Sequence, residues 1–385
     1  MADNNLKPDF DVIVIGGGIV GSCAAYQLAK LGKSVALIEQ FAFDNNKGSS
    51  HGGSRIFRFI TGEKVFFSLI KDSLKEWKNL EKESGQELLR QCGYLWMGSH
   101  EGSEARAKSF KDFGIPFEYL KGKKIGDKFP QFEFGPEWAA ILDPQGGALL
   151  ADKCVSAVQR LAKFHGAFLR DHEPVLRIEP YDNKVEVFTS KNKYSAKKII
   201  ITAGPWLKKV LPDLKIKAEP QLMGVNYYKV TGNYDKFKTE KGSPMFLMSD
   251  LCDCVYGLPD IDFPGLIKGG IHMGIRIDAD GKREFPDWMH TIPAKWFSKH
   301  IKDMDVSKPV KQVACMYTVT EDEYFIIDQS PTHPNIYIGG GFSGYGFKYA
   351  PTVGKILADL ALGNPISHDL SAFSATREMK QKSKL

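Results

Sequence analysis

The stretch from Asp11 to Glu39, DVIVIGGGIVGSCAAYQLAKLGKSVALIE, decides the fold. It opens with a β-branched run at 11–15, which is typical of a strand buried on both faces of a parallel sheet. Glycines and a helical stretch follow, and a second apolar run at 34–39 completes a strand–helix–strand unit of about 30 residues. The sequence therefore predicts an α/β fold built on a parallel sheet.

The glycines of this unit have the spacing of a dinucleotide-binding turn, Gly16-x-Gly18-x-x-Gly21. The first glycine permits the tight turn, the second lets a pyrophosphate approach the backbone, and the third lets helix and strand pack closely. The helix N-terminus offers free N–H groups to the phosphates. Glu39 lies 18 residues after Gly21, where a carboxylate accepts ribose hydroxyls and disfavours the 2′-phosphate of NADP.

Two later segments favour FAD over NAD as the dinucleotide. Residues 198–206 and 336–346 each combine a predicted strand with a small-residue or glycine-rich turn, and a helix is predicted from Pro351 to Leu362. An NAD-binding domain need not return to its cofactor through such distant segments, whereas a flavin with its bulky ring commonly does. Between them, alternating aromatic and β-branched stretches over 222–275 predict an antiparallel sheet.

Length and composition restrict the class of protein. The chain has 385 residues, which suggests about two domains. Its 43% hydrophobic and 25% charged residues exclude a chain dominated by disorder, collagen or coiled coil. The net charge of +6 is spread along the chain and gives no argument for nucleic-acid binding. Cys252 and Cys254 are too close for the usual zinc spacing, and no metal site is predicted.

An uncharged run from Val12 to Ala29 superficially resembles a membrane span. Four glycines interrupt it, and acidic Asp9 and Asp11 precede it where a signal peptide would be basic. We therefore predict neither a signal peptide nor a transmembrane helix, and no membrane partner.

The chain ends in Ser383-Lys384-Leu385, the tripeptide read by the peroxisomal import receptor. The alternative is a solvated lysine-rich tail. We expect the import receptor as a partner and a peroxisomal location.

Five segments, in this order, resemble the monomeric sarcosine oxidase family of flavoenzymes, which includes peroxisomal sarcosine and L-pipecolate oxidases. They are GGGIVG at 16–21, GSSHGGSRIFR at 48–58, KGGIH at 268–272, CMYT at 315–318 and FSGYGFK at 342–348. The resemblance implies an α/β fold, α+β overall, in which a Rossmann-like FAD-binding domain is interleaved with a mostly antiparallel-sheet substrate domain. It places the FAD-binding domain at 1–90, 150–220 and 320–385, and the substrate domain at 91–149 and 221–319.

The reaction implied by the resemblance is oxidation of the C–N bond of a secondary amino acid such as sarcosine or L-pipecolate. A hydride equivalent passes to the flavin, the imine hydrolyses, and O2 reoxidises the flavin with release of H2O2. A monomer is expected.

The resemblance also assigns cofactor-binding residues. Cys315 takes the place of a cysteine that forms a thioether with the 8α-methyl group of FAD, and a thiol is a good nucleophile for such a link. Ser50, Arg55, Gly344 and Lys348 are assigned to the flavin site together with the glycines and Glu39.

Substrate and oxygen chemistry is assigned to a further set. Arg58 and Lys348 are expected to bind the substrate carboxylate, because a guanidinium and an ammonium compensate its desolvation. Lys268 is expected near flavin N5, where a fixed cation stabilises superoxide, and His272 is expected to contact the substrate. Arg55 lies beside the flavin in this scheme.

Departures from the family pattern concern the pocket wall. Tyr256 and Tyr317 are expected to line it, although the segment from Tyr256 to Lys268 is one residue longer than in the bacterial enzymes. Tyr345 stands where the family often has histidine, and Ser54 replaces a usual threonine. These differences leave the substrate open.

Alternative functions remain open on the sequence. They are an oxidase of primary or sugar-modified amines, a flavin-dependent amine or amino-acid dehydrogenase that passes electrons to an acceptor other than O2, and a non-catalytic flavin-binding protein.

Overall fold

The predicted strand–helix–strand unit folds as β1 (Phe10–Ile15), α1 (Ile19–Lys30) and β2 (Val35–Ile38) in the computed structural model, which describes residues 8–59 and 64–378. All four residues of β2 and the last four of β1 are buried, because helices and other strands cover the sheet on both faces. The terminal tripeptide Ser383-Lys384-Leu385 lies outside the described residues.

Further helices and strands follow this unit along the chain. The helices are α2 (Lys64–Ser84), α3 (His100–Asp112), α4 (Lys123–Lys128), α5 (Ala151–Phe164), α6 (Leu207–Val210), α7 (Trp288–His300) and α8 (Gly346–Leu362). The strands are β3 (Ser54–Phe57), β4 (Leu89–Arg90), β5 (Tyr94–Gly98), β6 (Glu118–Lys121), β7 (Ala139–Asp143), β8 (Gly147–Leu150), β9 (Phe168–Arg170), β10 (Val175–Pro180), β11 (Val185–Thr189), β12 (Lys193–Ile201), β13 (Ala218–Val230), β14 (Met245–Met248), β15 (Val255–Leu258), β16 (Leu266–Ile271), β17 (Ile275–Arg276), β18 (Met304–Asp305), β19 (Lys311–Thr320), β20 (Ile326–Gln329) and β21 (Ile336–Gly340).

The first sheet has a parallel centre in the order β9-β2-β1-β12-β21. Antiparallel strands β10, β11 and β20 extend it. Helix α1 packs between α5 and α8 over this sheet. The approach is close at Gly354, where an added Cβ would lie 2.5 Å from Cβ of Cys23. The predicted parallel sheet with a dinucleotide-type unit is confirmed.

The second sheet is mostly antiparallel, as predicted, and follows the order β17-β13-β16-β15-β14-β5-β7-β6. Strand β13 also pairs with β18 and, over ten residue pairs, with β19. A third, small sheet pairs β3 and β4 with β8. The α/β class is therefore confirmed, with α+β character supplied by the second sheet.

Helix α8 differs from its prediction. The sequence predicts a start at Pro351, because proline suits the first turn of a helix. The helix begins at Gly346 instead, and Pro351 lies inside it. A proline so near the N-terminus removes only one helical hydrogen bond, which the buried contacts of α8 outweigh.

The uncharged run from Val12 to Ala29 is used in β1 and α1. Within residues 8–59 and 64–378, no helix is both long and apolar enough to cross a membrane.

Candidate active site

A cavity of about 940 Å³ lies between the first and second sheets. Its walls come from the carboxyl ends of β1, β12 and β21, where parallel strands present their loops, and from β13, β15, β16 and β19 of the second sheet. The predicted residues that line it are Gly16, Gly18, Glu39, Ser50, Arg55, Arg58, Tyr256, Lys268, His272, Cys315, Tyr317, Gly344 and Lys348. Segments separated by more than 300 residues in sequence thus meet at one site.

At one end of the cavity, the glycine turn has the geometry that the fingerprint requires. Gly16 has φ of +104°, and an added Cβ would lie 2.5 Å from the carbonyl oxygen of Thr202. Gly21 does not line the cavity. Only glycine fits at this position, because an added Cβ would lie 2.0 Å from the carbonyl oxygen of Gly16. The lack of a side chain allows α1 to pack on β1.

Glu39 and Ser50 fix the surroundings of this turn. The Glu39 carboxylate accepts hydrogen bonds from the backbone N–H of Gly17 at 2.8 Å and Phe41 at 2.9 Å. Burial nevertheless raises the pKa of Glu39 above its usual value. Ser50 Oγ accepts from the N–H of Ile19 at 3.1 Å, which satisfies one donor at the start of α1.

Arg55 organises the loop before β3. Its guanidinium donates to the carbonyl oxygens of Ser49 at 2.9 Å, His51 at 2.6 Å and Ser54 at 2.8 Å. It also lies 3.9 Å from Sγ of Cys315. The loop from 48 to 54 and the Cys315 thiol are therefore held together.

The residues present fit a flavin dinucleotide. His51 Nε2 and Thr318 Oγ1 are buried, line the cavity and have no hydrogen-bond partner among residues 8–59 and 64–378. Burial, with the charges of Arg55, Arg283 and Lys268, lowers the pKa of His51 to about 4, so the ring is neutral near pH 7. Unpaired buried polar groups are rare and are expected to meet a ligand or water. The glycine turn admits a pyrophosphate, and the cavity reaches from there to Cys315.

Lys348 and Arg58 form the basic end of the cavity. Lys348 is 5% exposed, and its Nζ lies over the rings of Tyr345 and Tyr349 and donates to the Tyr345 carbonyl at 3.4 Å. Burial, and then the Arg58 charge, lowers the pKa of Lys348 well below its usual value. The Arg58 guanidinium stands 5.3 Å from the ring centre of Tyr94.

Asp143 supplies a buried carboxyl in this region. It accepts hydrogen bonds from the N–H groups of Phe59 and Gly146, and burial raises its pKa to about 6 although the Arg58 charge opposes the shift. The positive charges of Arg58 and Lys348 at this end of the cavity suit the binding of an anion.

Lys268 is buried and paired. Its Nζ donates to the Ser54 carbonyl at 2.9 Å and lies 3.1 Å from Asp262 Oδ2, which also accepts from the hydroxyl of Tyr227 at 2.7 Å. Burial lowers the pKa of Lys268. Burial would raise the pKa of Asp262, but the Lys268 charge and the hydrogen bonds outweigh it and the pKa is lowered.

Asp262 is a site residue that sequence reasoning missed. It lies in the segment between Tyr256 and Lys268, and no spacing rule connects a loop aspartate to a strand lysine. Only the fold brings the two side chains together.

Aromatic side chains complete the wall. The Tyr345 hydroxyl lies 3.1 Å from Nε2 of His272, which follows the end of β16. Gly344 has φ of +83°, and an added Cβ would lie 2.4 Å from the ring of Tyr317. Tyr256 and Tyr317 are partly buried, and burial raises the pKa of both hydroxyls above the usual value, so they stay neutral.

Within residues 8–59 and 64–378, no group of three or more His, Cys, Asp or Glu side chains is arranged to hold a metal ion.

Comparison with known proteins gives one family. The model of the family described as FAD dependent oxidoreductase (DAO) matches residues 11–360. The chain is 38% identical to a putative sarcosine oxidase of Caenorhabditis elegans, covering 97% of this chain and 98% of that protein. It is also 38% identical to the peroxisomal sarcosine oxidase of Mus musculus, covering 96% and 97%. A structure of NikD, an unusual amino acid oxidase essential for nikkomycin biosynthesis, matches with a TM-score of 0.83 at 24% identity, covering 97% and 99%.

We predict that Asp262→Ala lowers the free energy of unfolding by about 3–5 kcal/mol, because the Lys268 ammonium would remain buried without its carboxylate. Urea denaturation measures this change. The double variant Asp262→Ala/Lys268→Met serves as the control and should regain most of the loss. An equal loss in both variants would show that the charge is not the cause.

We also predict a pH dependence of anion binding from Lys348. A lowered pKa means that the ammonium is present below that pKa and is lost above it, at a lower pH than for an exposed lysine. The affinity for acetate, measured by calorimetry at stepped pH, should therefore fall as pH rises. In Lys348→Arg the guanidinium stays charged and the affinity should persist. An identical alkaline loss in the arginine variant would contradict this role.

Proposed function

Because this chain belongs to the FAD dependent oxidoreductase family, we propose that it is an FAD-dependent oxidase of secondary amino acids, of the sarcosine or L-pipecolate type. The observation that carries the proposal is the cavity that joins the glycine turn to Arg58 and the buried Lys348. In this reaction the amine gives up two electrons and two protons to become an imine, and O2 takes them up as H2O2. Water then converts an acyclic imine to an aldehyde and a primary amine.

The cofactor is proposed to lie along the cavity. Gly16, Gly18, Glu39 and Ser50 would hold its nucleotide half, with Arg55, Cys315 and Gly344 around the ring. When bound, FAD supplies a two-electron acceptor. We further propose a covalent link through Cys315, which is 7% exposed, lines the cavity and lies against Arg55.

The protein residues bind and orient the substrate in this scheme. Arg58 and Lys348 would bind the carboxylate, and Lys348 would also contact the cofactor, since it lines the same cavity as the glycine turn. His272, which lies against the Tyr345 hydroxyl, would contact the amine or the carboxylate of the substrate. Tyr256 and Tyr317 exclude water from the reacting C–N bond.

Lys268 is proposed to promote the reaction with O2 through its buried positive charge. One observation favours the alternative, a dehydrogenase with another electron acceptor. The ammonium is already paired with Asp262 and with Ser54, so part of its field is cancelled. The oxidase and the dehydrogenase therefore differ in whether O2 is the electron acceptor.

The location, assembly and domain division are also proposed. Support for a peroxisomal location comes from Ser383-Lys384-Leu385 and from the name of the mouse relative. We propose a monomer, a FAD-binding domain at 1–90, 150–220 and 320–385, and a substrate domain at 91–149 and 221–319.

We predict peroxide release in air when the purified holoenzyme is given sarcosine, L-pipecolate or L-proline. Lys268→Met should lower the rate of reoxidation by O2 at least about 10-fold while leaving anaerobic bleaching of the flavin by the substrate comparatively fast. Stopped-flow absorbance measures the two half-reactions separately. Anaerobic bleaching without peroxide in air would favour the dehydrogenase, and no bleaching with any of the three would refute the proposed function.

We predict that the yellow colour stays with the polypeptide after acid precipitation of the purified protein. Cys315→Ala should release the colour into the supernatant, because no other group is proposed to form the link. Cys254→Ala is the matched control, since this thiol also lines the cavity and should not affect retention. Colour released from the unaltered protein would refute the link at Cys315.

A further inference from the structure

A further cation, Arg106, faces the cavity beyond the residues used above. Arg106 on α3 lines it together with Trp96 on β5, and the guanidinium lies 3.7 Å from the centre of the Trp96 ring. Its Nη1 donates to the Gly102 carbonyl at 2.9 Å. Among the residues that the structure describes, none accepts a hydrogen bond from Nε or Nη2 of Arg106. An arginine fork with free donors and an aromatic face behind it is a typical carboxylate receptor.

The surroundings of Arg106 are built to hold it there. An added Cβ at Gly98 would lie 2.3 Å from the Trp96 ring, and one at Gly102 would lie 1.8 Å from a carboxylate oxygen of Asp250. Glycine at both positions therefore lets the indole and the carboxylate pack tightly under the arginine. Asp250 Oδ2 lies 3.8 Å from Arg106 Nη1, beyond hydrogen-bond distance, and accepts instead from Ser99 Oγ at 3.1 Å.

The charges of the cavity explain what such a site would bind. Burial lowers the pKa of Arg106, Asp250 opposes that shift, and the nearby Arg58 adds to it. A substrate with a single carboxylate is already served by Arg58 and Lys348. It would leave the partly buried guanidinium of Arg106 with Asp250, at 3.8 Å, as its one carboxylate partner among the described residues.

We propose that Arg106 and Trp96 form a subsite for a second acidic group, so that the preferred substrates are secondary amino acids with a carboxylate in the side chain. This inference rests on the proposed function. The α-carboxylate binds Arg58 and Lys348, and the side-chain carboxylate binds the free face of the Arg106 fork. The amine between them remains the group that is oxidised.

The test compares N-methyl-glutamate with N-methyl-glutamine, which differ only in a carboxylate and an amide at the end of the side chain. Both enantiomers are assayed. We expect kcat/KM to favour the acid by about 10- to 100-fold in the unaltered enzyme, as for hydrogen bonds to a charged group. In Arg106→Met this ratio should fall towards one. Lys108→Met, which removes an exposed cation from the same helix, should keep the ratio and excludes a long-range charge effect.

The unaltered enzyme alone is already decisive, so a poorly folded variant does not obscure the outcome. Equal kcat/KM for the acid and the amide, or an unchanged ratio in Arg106→Met, would overturn the subsite. Calorimetry with glutarate and its monoamide provides a readout that needs no turnover. Tighter binding of glutarate than of its monoamide, lost in Arg106→Met, would support the subsite even if no amino acid is oxidised. A lack of oxidation would refute only the proposed function.

Discussion

Burial of positive charge is the constraint on which the rest of this structure depends. Lys268 and Lys348 are both removed from water, and burying an ammonium group costs much free energy unless an anion is near. The protein supplies the anion for Lys268 in Asp262, whereas Lys348 has a carbonyl and two aromatic rings. The charge of Lys268 is therefore compensated within the protein, whereas the charge of Lys348 is available to a bound anion.

The two sheets contribute different features to the cavity. The parallel strands end in loops, and backbone geometry at Gly16 creates the room for a pyrophosphate. The antiparallel strands present side chains instead, and their pairing sets which ones face the cavity. Cys315 lies opposite Met223 and Lys268 opposite Tyr227 in the register, so a shift by one residue would turn these side chains away.

Local patterns predicted the parts of the site that local geometry determines. The spacing of Gly16, Gly18 and Gly21 and the position of Glu39 follow from the turn itself, and the structure has them there. Arg58, Lys348 and Cys315 became candidates only through resemblance, since an isolated arginine, lysine or cysteine says little. The sequence did not predict Asp262 or Arg106 as site residues, because each acts through a partner that is distant in sequence or lies on another element.

The position of the cavity also has a consequence for how the molecule holds together. Its walls belong to both sheets, so whatever fills it touches strand ends of one and strand faces of the other. Burial against both layers would make their unfolding cooperative, since neither could open without giving up the shared contacts. A long cofactor in this cavity would thus contribute to the cooperativity of folding in the same way as a buried central strand.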